Sequence, residues 1–346
     1  MMEYLLGSPK DFHDFVNGIS KEDKIRIITH TDLDGLASGI FLQKILESKG
    51  LEISSIDFLN YGSDILKNYS KEKDFEVLFL TDWNADNDEY GLNELRKKGN
   101  VLVFDHHPIN ENLGNKKGII KTESKYCSAH ALFDLAKNYF DTKNLEWLVC
   151  AAIILDYAWD VEENLNFLKS IYPEIVRENI NESEPGKIGG IIGGALIYYK
   201  PDYKKVYNLV LKEDFDKLGE SSSIIQKEVK KWIDKFKNEA EYFPEQNLYF
   251  YYGTPKYGVT PPVSTILSEF YEGSTIIFLK DKGENLNQIG INSRNQSGKV
   301  KLGDVLKKCI KGFENSVAGG HDKAAGGDFP KRYLPEFKKR LLEELK

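Results

Sequence analysis

The sequence predicts an α/β protein: a parallel-sheet domain with an attached helical region, followed by a smaller α/β carboxy-terminal domain. Two patterns carry that expectation. In the first half, short and fully apolar runs alternate with helix-like stretches, and strand-like runs return beyond residue 246. A parallel sheet is covered on both faces, so its strands read as unbroken apolar runs rather than as alternating ones.

The first runs are residues 25–29 (IRIIT), 77–80 (VLFL) and 101–104 (VLVF). Between them, residues 35–48 place Leu36, Ile40, Leu42, Ile45 and Leu46 at helical spacing. Residues 128–199 continue as helix, including WLVCAAIILDYAW and the paired glycines of GKIGGIIGGALIYY. Those pairs suit close helix packing and lack the GK[ST] ending of a phosphate loop. Residues 203–240 read as one or two Lys/Glu-rich helices, and 240–246 as a linker. NLYFYYG, STIIFLK and QIGINSR then read as strands, with the aromatic run Tyr249 to Tyr252 taken as strand core. The expected domains are therefore 1–240 and 247–346.

Composition narrows the class. With 346 residues and 41% apolar content, two cores are affordable. No run approaches the ~18 apolar residues that span a membrane, and the opening residues lack the basic and apolar regions of a secretory signal. Cys127, Cys150 and Cys309 are too few and scattered for a disulfide framework or a zinc ribbon. A cytoplasmic protein is expected. The net charge of −7, with only six arginines, argues against a broad nucleic-acid-binding face but leaves room for a local cationic groove.

Chemistry concentrates where apolar runs end: THTDLDG (His30, Asp32, Asp34), LTDWN (Asp82), FDHHP (Asp105, His106, His107) and ILDYAWD (Asp156, Asp160). A lone carboxylate after a strand is usually a turn or cap residue. The alternation His-x-Asp-x-Asp is different, since in an extended segment it aims all three side chains one way. Such groups repel unless a cation sits among them. Adding Asp82, His106 and Asp156 makes six nitrogen and oxygen ligands, a set that suits Mn²⁺, with Mg²⁺ or Co²⁺ as substitutes. Trp159 and Asp160 read as packing and capping residues.

With these four clusters in this order, the sequence resembles the DHH phosphoesterase superfamily, named for a run that is here Asp105-His106-His107. The GGH-x-x-A-x-GG element of residues 319–327 resembles the DHH-associated substrate domain, which family II inorganic pyrophosphatases lack. The resemblance implies one metal held by His30, Asp32 and Asp82, and another held by Asp34, Asp82, His106 and Asp156, with Asp82 bridging. It implies that Asp105 orients a histidine and that His107 meets the substrate phosphate. In the second domain it implies substrate contacts from Arg294, Gly319, Gly320, His321 and Gly326. Lys299, Lys301, Lys307, Lys308 and Lys311 form either a cationic approach or a solvated helix face. The expected activity is Mn-dependent hydrolysis of single-stranded DNA or RNA, or of short oligonucleotides, by a RecJ-like exonuclease of archaeal type that releases nucleoside monophosphates. A small-molecule phosphoesterase acting on nanoRNA, cyclic dinucleotides or 3′-phosphoadenosine 5′-phosphate is the alternative. An inactive scaffold is a third reading, and replication or repair proteins stay open as partners.

Overall fold

The computed structural model describes residues 2–62, 64–282, 287–320 and 322–346. Two compact units result, Met1–Ser222 and Ser223–Lys346. No helix among the described residues is long and apolar enough to cross a membrane.

The first unit begins with β1 (Tyr4–Leu6), α1 (Pro9–Asn17), β2 (Ile25–Thr29), α2 (Leu33–Ser48), β3 (Ile53–Phe58) and α3 (Ile65–Glu72). It continues with β4 (Val77–Thr81), α4 (Glu89–Arg96), β5 (Asn100–Asp105) and β6 (Ile119–Thr122). The sheet order is β1-β6-β5-β4-β2-β3, all parallel except the edge strand β1. From β2 the chain moves outward to β3, then returns across β2 to β4. Right-handed crossovers place helices on opposite faces when the direction reverses. The reversal leaves a crevice at the carboxyl ends of β2 and β4, where ligands of such sheets bind.

The apolar runs have the burial that a doubly covered sheet requires. In β5, Leu102 and Phe104 join the core beneath α1, α2 and the later helices, while Val101 and Val103 join the core beneath α3 and α4. Strands β3 and β6 escaped the sequence reading because neither is a clean apolar run. The first carries Ser54 and Ser55 on a sheet edge, and the second has a lysine at its centre.

Five helices follow: α5 (Ser128–Ala136), α6 (Glu146–Leu155), α7 (Glu162–Ile171), α8 (Glu184–Tyr199) and α9 (Tyr203–Leu211). The paired glycines of α8 do pack helices closely. A Cβ at Gly189 would lie 2.9 Å from Leu155, and one at Gly194 would overlap Ser222. Gly190 is the exception, with nothing within 4 Å. The long helix α10 (Phe215–Glu239) contains the division between the units.

In the second unit, β7 (Glu241–Phe243), β8 (Leu248–Tyr252), α11 (Thr260–Phe270), β9 (Thr275–Asp281) and β10 (Gln288–Arg294) precede α12 (Leu302–Cys309), β11 (Val317–Gly320), β12 (Ala324–Pro330) and α13 (Leu334–Glu344). Their sheet runs β11-β12-β10-β9-β8-β7, with β8 and β9 parallel and the other pairs antiparallel. The stretch read as linker thus contributes an edge strand, because Tyr242 pairs opposite Tyr249 and stacks on its ring at 4.5 Å. The glycine-rich stretch around residues 317–330 pairs as two strands, β11 and β12. A Cβ at Gly327 would fall 2.2 Å from the Val317 carbonyl oxygen, so only glycine permits that approach.

At Gly35 the same steric logic guards the first unit. A Cβ there would sit 2.5 Å from the His30 carbonyl oxygen, with His30 backbone as the unyielding neighbour. Gly35→Ala gains helix propensity yet should lower the unfolding free energy by about 1–3 kcal/mol, the scale of an overpacked core. Equilibrium urea unfolding measures it; an unchanged or raised midpoint would show that the His30 turn yields freely.

Candidate metal centre

The carboxyl ends of β2, β4 and β5 supply most of the cluster. His30 follows β2, Asp82 follows β4, and Asp105 ends β5. Asp156 comes from elsewhere, as the C-cap of α6. The segment His30 to Asp34 is not extended, as the alternation predicted. Asp32 is instead the N-cap of α2, accepting the Gly35 N–H at 2.9 Å, and Asp34 lies in the helix's first turn. An aspartate at an N-cap satisfies an otherwise orphaned N–H, so the helix starts two residues early for an alternating strand. The consequence is a split set. His30 and Asp32 group with Asp82, whereas Asp34 groups with His106 and Asp156, with ligand atoms inside each group within 4.8 Å of one another.

Asp82 stands where the groups meet. One of its oxygens lies 3.8 Å from His30 Nδ1, and the other lies 3.4 Å from His106 Nε2. Its backbone adopts a left-handed φ of 51°, which aspartate tolerates better than most residues. Its N–H donates to the Phe104 carbonyl at 3.0 Å, tying the end of β4 to the strand that carries the Asp-His-His run. Asp82 Oδ2 and His106 Nδ1 are buried without a hydrogen-bond partner among the described residues. Buried polar atoms are rarely left so.

Asp34 is fastened by the start of α5, whose Ser128 and Ala129 N–H groups donate to its two oxygens at 2.9 and 2.7 Å. His106 Nε2 lies 3.7 Å from the same carboxylate. His107 turns its Nδ1 to Asp105 Oδ1 at 2.8 Å, which fits the orienting role expected of Asp105. A ring nitrogen of His107 also falls in a ligand-sized group with Asp82 and His106, so the site offers this residue to a cation as well as to a substrate. Asp160 lies apart, paired at the surface with Arg177 at 3.0 Å.

Charge crowding dominates the electrostatics. Burial, and then Asp34, Asp32, Asp105 and Asp156, push the Asp82 carboxyl well above the usual range. Asp156 is also raised, by burial and Asp34 against a counter-pull from His106. Asp34 is raised by burial, with His106 opposing and Asp32 reinforcing. Asp32 differs. It sits among protein atoms that would raise it, but 51% of its side chain is open to solvent, and the hydrogen bond and charge of His30 bring it down to about 2. Burial would lower His30 and His106, yet the carboxylates around each leave both raised.

Two neighbours escaped the sequence reading. Lys121 of β6 has no solvent exposure, and its ammonium lies 2.6 Å from Asp86 and 3.1 Å from Asp105. It also donates to Asn84 Oδ1 at 2.9 Å and to the carbonyls of His107 and Pro108 at 3.1 Å each. A lysine inside the apolar stretch GIIKT was the available signal, since buried lysines need partners. Tyr61 stacks on the His30 ring at 4.8 Å, and its hydroxyl lies 3.4 Å from His107 Nε2. Burial and the charges of Asp82, Asp105 and Asp32 hold its phenol protonated. Nothing in the loop sequence announced it.

In the second unit, the Arg294 guanidinium donates to Thr265 Oγ1 at 3.2 Å and to the Ser293 carbonyl at 3.1 Å. Gly319 pairs with Gly326, which pairs with Asn292, so Gly319, Gly320, Gly326 and Arg294 all lie within two residues of one row across β11, β12 and β10. Gly320, with φ 131°, could not carry a Cβ beside Ala324 and Ala325. His321 lies outside the described residues. Lys299, Lys301, Lys307, Lys308 and Lys311 are exposed, and Lys308 pairs with Glu344 at 2.8 Å.

Two stretches match known families. Residues 24–157 match the DHH family, N-terminal domain, and residues 249–346 match the DHHA1 domain. No curated protein matches the chain. Among solved structures, the fold is similar to exonuclease RecJ bound to manganese, with a TM-score of 0.75 and 16% identity over 98% of this chain and 94% of that one. It is similar to CDC45 from Entamoeba histolytica, at 0.63 and 12% over 99% and 100% of the two chains. An exopolyphosphatase-related protein from Bacteroides fragilis is similar at 0.60 and 17%, over 97% and 96%. At these identities the likeness is one of fold.

Lys121→Met should cost about 3–5 kcal/mol, because it leaves buried carboxylates uncompensated. Urea unfolding measures the loss, and a change below about 1 kcal/mol would mean that Asp86 and Asp105 share a proton or gain water.

The raised carboxyls also set a pH dependence. A folded chain free of divalent ions keeps protons that the unfolded chain loses above about pH 4, so stability falls as pH rises. His30 and His106 act in the same sense, since stability from their raised values is present below about pH 6.5 and is lost above it. Asp32 acts oppositely, but only as pH falls from about 4 towards 2. In EDTA the urea midpoint should therefore fall between about pH 4.5 and 8, and saturating Mn²⁺ should remove or reverse that slope. A midpoint that climbs with pH in EDTA would contradict the crowding.

Proposed function

Because this chain belongs to the DHH superfamily, with a DHHA1 domain behind its DHH domain, we propose that it is a cytoplasmic, divalent-metal-dependent phosphodiesterase. It acts as a RecJ-like exonuclease on single-stranded DNA or RNA, releasing nucleoside monophosphates. The observation that carries the reading is Asp82, buried between one ligand group at His30 and Asp32 and another at His106, Asp34 and Asp156.

The residues fit a pair of cations. The donors are imidazole nitrogens and carboxylate oxygens, a set suited to Mn²⁺ and able to take Mg²⁺ or Co²⁺. Among the described residues Asp82 Oδ2 and His106 Nδ1 lack hydrogen-bond partners, and the repulsion among the carboxylates asks for positive charge. His30, Asp32 and Asp82 would hold one ion, and Asp34, Asp82, His106 and Asp156 the other. Such ions supply Lewis-acid polarisation of a phosphoryl oxygen and lower the pKa of water near neutrality.

The chain's own groups do the rest. Asp105, held ionised by His107 and Lys121 against its burial, fixes the His107 ring by accepting from Nδ1. That leaves Nε2 to meet the substrate phosphate, beside the Tyr61 hydroxyl. Arg294 offers a planar fork for a phosphate, which lysine cannot copy. Gly319, Gly320 and Gly326 present bare backbone to an anionic ligand, and His321 is assigned with them. A small-molecule phosphoesterase is the second reading, favoured by the acidity of the chain and its six arginines.

Removing both ions' shared ligand decides the first point. Asp82→Ala should lower hydrolysis by about a thousandfold or more, the scale of several kcal/mol of metal-derived stabilisation. Metal analysis should show lost cations, and full activity of the variant in metal-depleted buffer would refute the two-ion centre. Arg294→Ala should instead raise KM while its metal content stays at the wild-type level. Efficiency measured on oligomers of two to about twenty nucleotides separates the readings, since single-strand grooves span ~4–16 nucleotides. Hydrolysis across that range supports the exonuclease, and activity confined to dinucleotides or a nucleotide bisphosphate supports the alternative.

A further inference from the structure

Residues 198–212, YYKPDYKKVYNLVLK, hold four lysines against a single aspartate in a chain of net charge −7. Helix α9 turns Val206, Tyr207, Leu209 and Val210 inward. Lys204, Lys205, Asn208 and Lys212 fall on its exposed side at spacings of one, four and eight residues. Lysines on one helix face are ordinarily just a solvated surface, so position must decide.

The position is specific. Tyr203, the first residue of α9, meets the ring of Phe58 at 6.2 Å. Phe58 ends β3 and pairs in register with Thr29, which ends β2 and precedes His30. Thr31, between His30 and Asp32, interacts with the Tyr203 phenol. The other end of the helix approaches the start of β3, where Asn208 and Leu211 line a pocket with Ile53 and Ser54. Thus α9 starts at the metal end of the sheet and runs roughly 13 Å away from it. Two depressions flank it. The one towards β3 contains Glu47 and Glu52. The other is a shallow, solvent-open depression on the helix's own face, bordered by Asp202, Lys204, Lys205, Asn208, Leu209 and Lys212. Lys205 also places its ammonium 4.3 Å from the centroid of the Tyr199 ring, so cation and aromatic face stand side by side.

We propose that this lysine-lined side of α9 is a track for the sugar–phosphate backbone of a single-stranded nucleic acid, leading away from the metal centre. The proposal rests on the reading of the substrate as a nucleic-acid strand. Alternating positive charge and aromatic surface is what a flexible strand needs for phosphates and bases. A dinucleotide held at the metal ions would not reach Lys212, whereas a longer strand would. The track therefore predicts a length effect as well as an affinity.

The test is the triple variant Lys204→Gln, Lys205→Gln, Lys212→Gln, with the three Lys→Arg changes as the charge-preserving control. All three side chains are exposed, so melting temperatures should match the wild type. Efficiency on a 12-nucleotide single strand should fall about tenfold in the glutamine variant and stay near wild type in the arginine variant, while dinucleotide hydrolysis changes less than about twofold. The log–log salt dependence of 12-mer binding should flatten by about two, at about 0.7 for each lost contact to a single strand. Binding is read by anisotropy of a fluorescent 12-mer in EDTA, where hydrolysis plays no part. Equal affinity and salt slope in wild type and glutamine variant would overturn the track, whether or not the protein cleaves nucleic acid. A wild type that binds the 12-mer through these lysines but hydrolyses neither substrate would uphold the track and refute the exonuclease. An acidic peptide that binds α9 while the 12-mer does not would also overturn it.

Discussion

Asp82 places a carboxylate where Asp34, Asp32, Asp105 and Asp156 already press upon it, and the rest of the first unit is organised around that unfavourable concentration of charge. Five carboxylates do not gather at one place without compensation, because each one that is buried carries a desolvation cost of several kcal/mol unless paired. The fold compensates only partly. His30 and His106 offset some of the charge, the N–H groups at the start of α5 hold Asp34, and Lys121 neutralises Asp105 and Asp86 from beneath. Asp82 Oδ2 and His106 Nδ1 keep unused capacity. A site left short of positive charge in this way is built to receive it.

The sheet makes the concentration geometrically attainable. Reversal of strand order between β2 and β4 opens their carboxyl ends side by side, and β5 adds the Asp-His-His run at the same edge. The early start of α2 then rotates Asp34 away from Asp32, so one short segment serves two ligand groups rather than one. Gly35 allows the turn to close tightly over the helix start.

Lys121 and Tyr61 illustrate how neighbours set the behaviour of ligands they do not replace. The lysine keeps Asp105 an acceptor, so the His107 ring has one orientation and one free edge. The tyrosine covers His30 and reaches the same edge from the solvent side. In the second unit, glycines act by absence: Gly320 and Gly327 let β11 and β12 approach more closely than any side chain would permit.

The sequence alone carried the class of fold and the doubly covered parallel strands, and it named His30, Asp32, Asp34, Asp82, His106 and Asp156 as candidates, which the structure brings into close groups. Apolar runs and their terminating acids are local features, readable because burial of both sheet faces demands an unbroken apolar strand. The edge strand β3 and the interior strand β6 were illegible because a half-covered or lysine-bearing strand has no such signature. The backbone of residues 30–34 was misread for a similar reason, since strand alternation and a helix N-cap write the same His-x-Asp-x-Asp. Tertiary structure decides between them, because N–H groups at the start of α5, 94 and 95 residues away, hold Asp34 by both oxygens. Tertiary structure alone likewise brought Lys121 under Asp105 and Tyr61 over His30. Those pairs are separated by 16 and 31 residues, and their contacts come from strand order, a long-range property that no local pattern encodes.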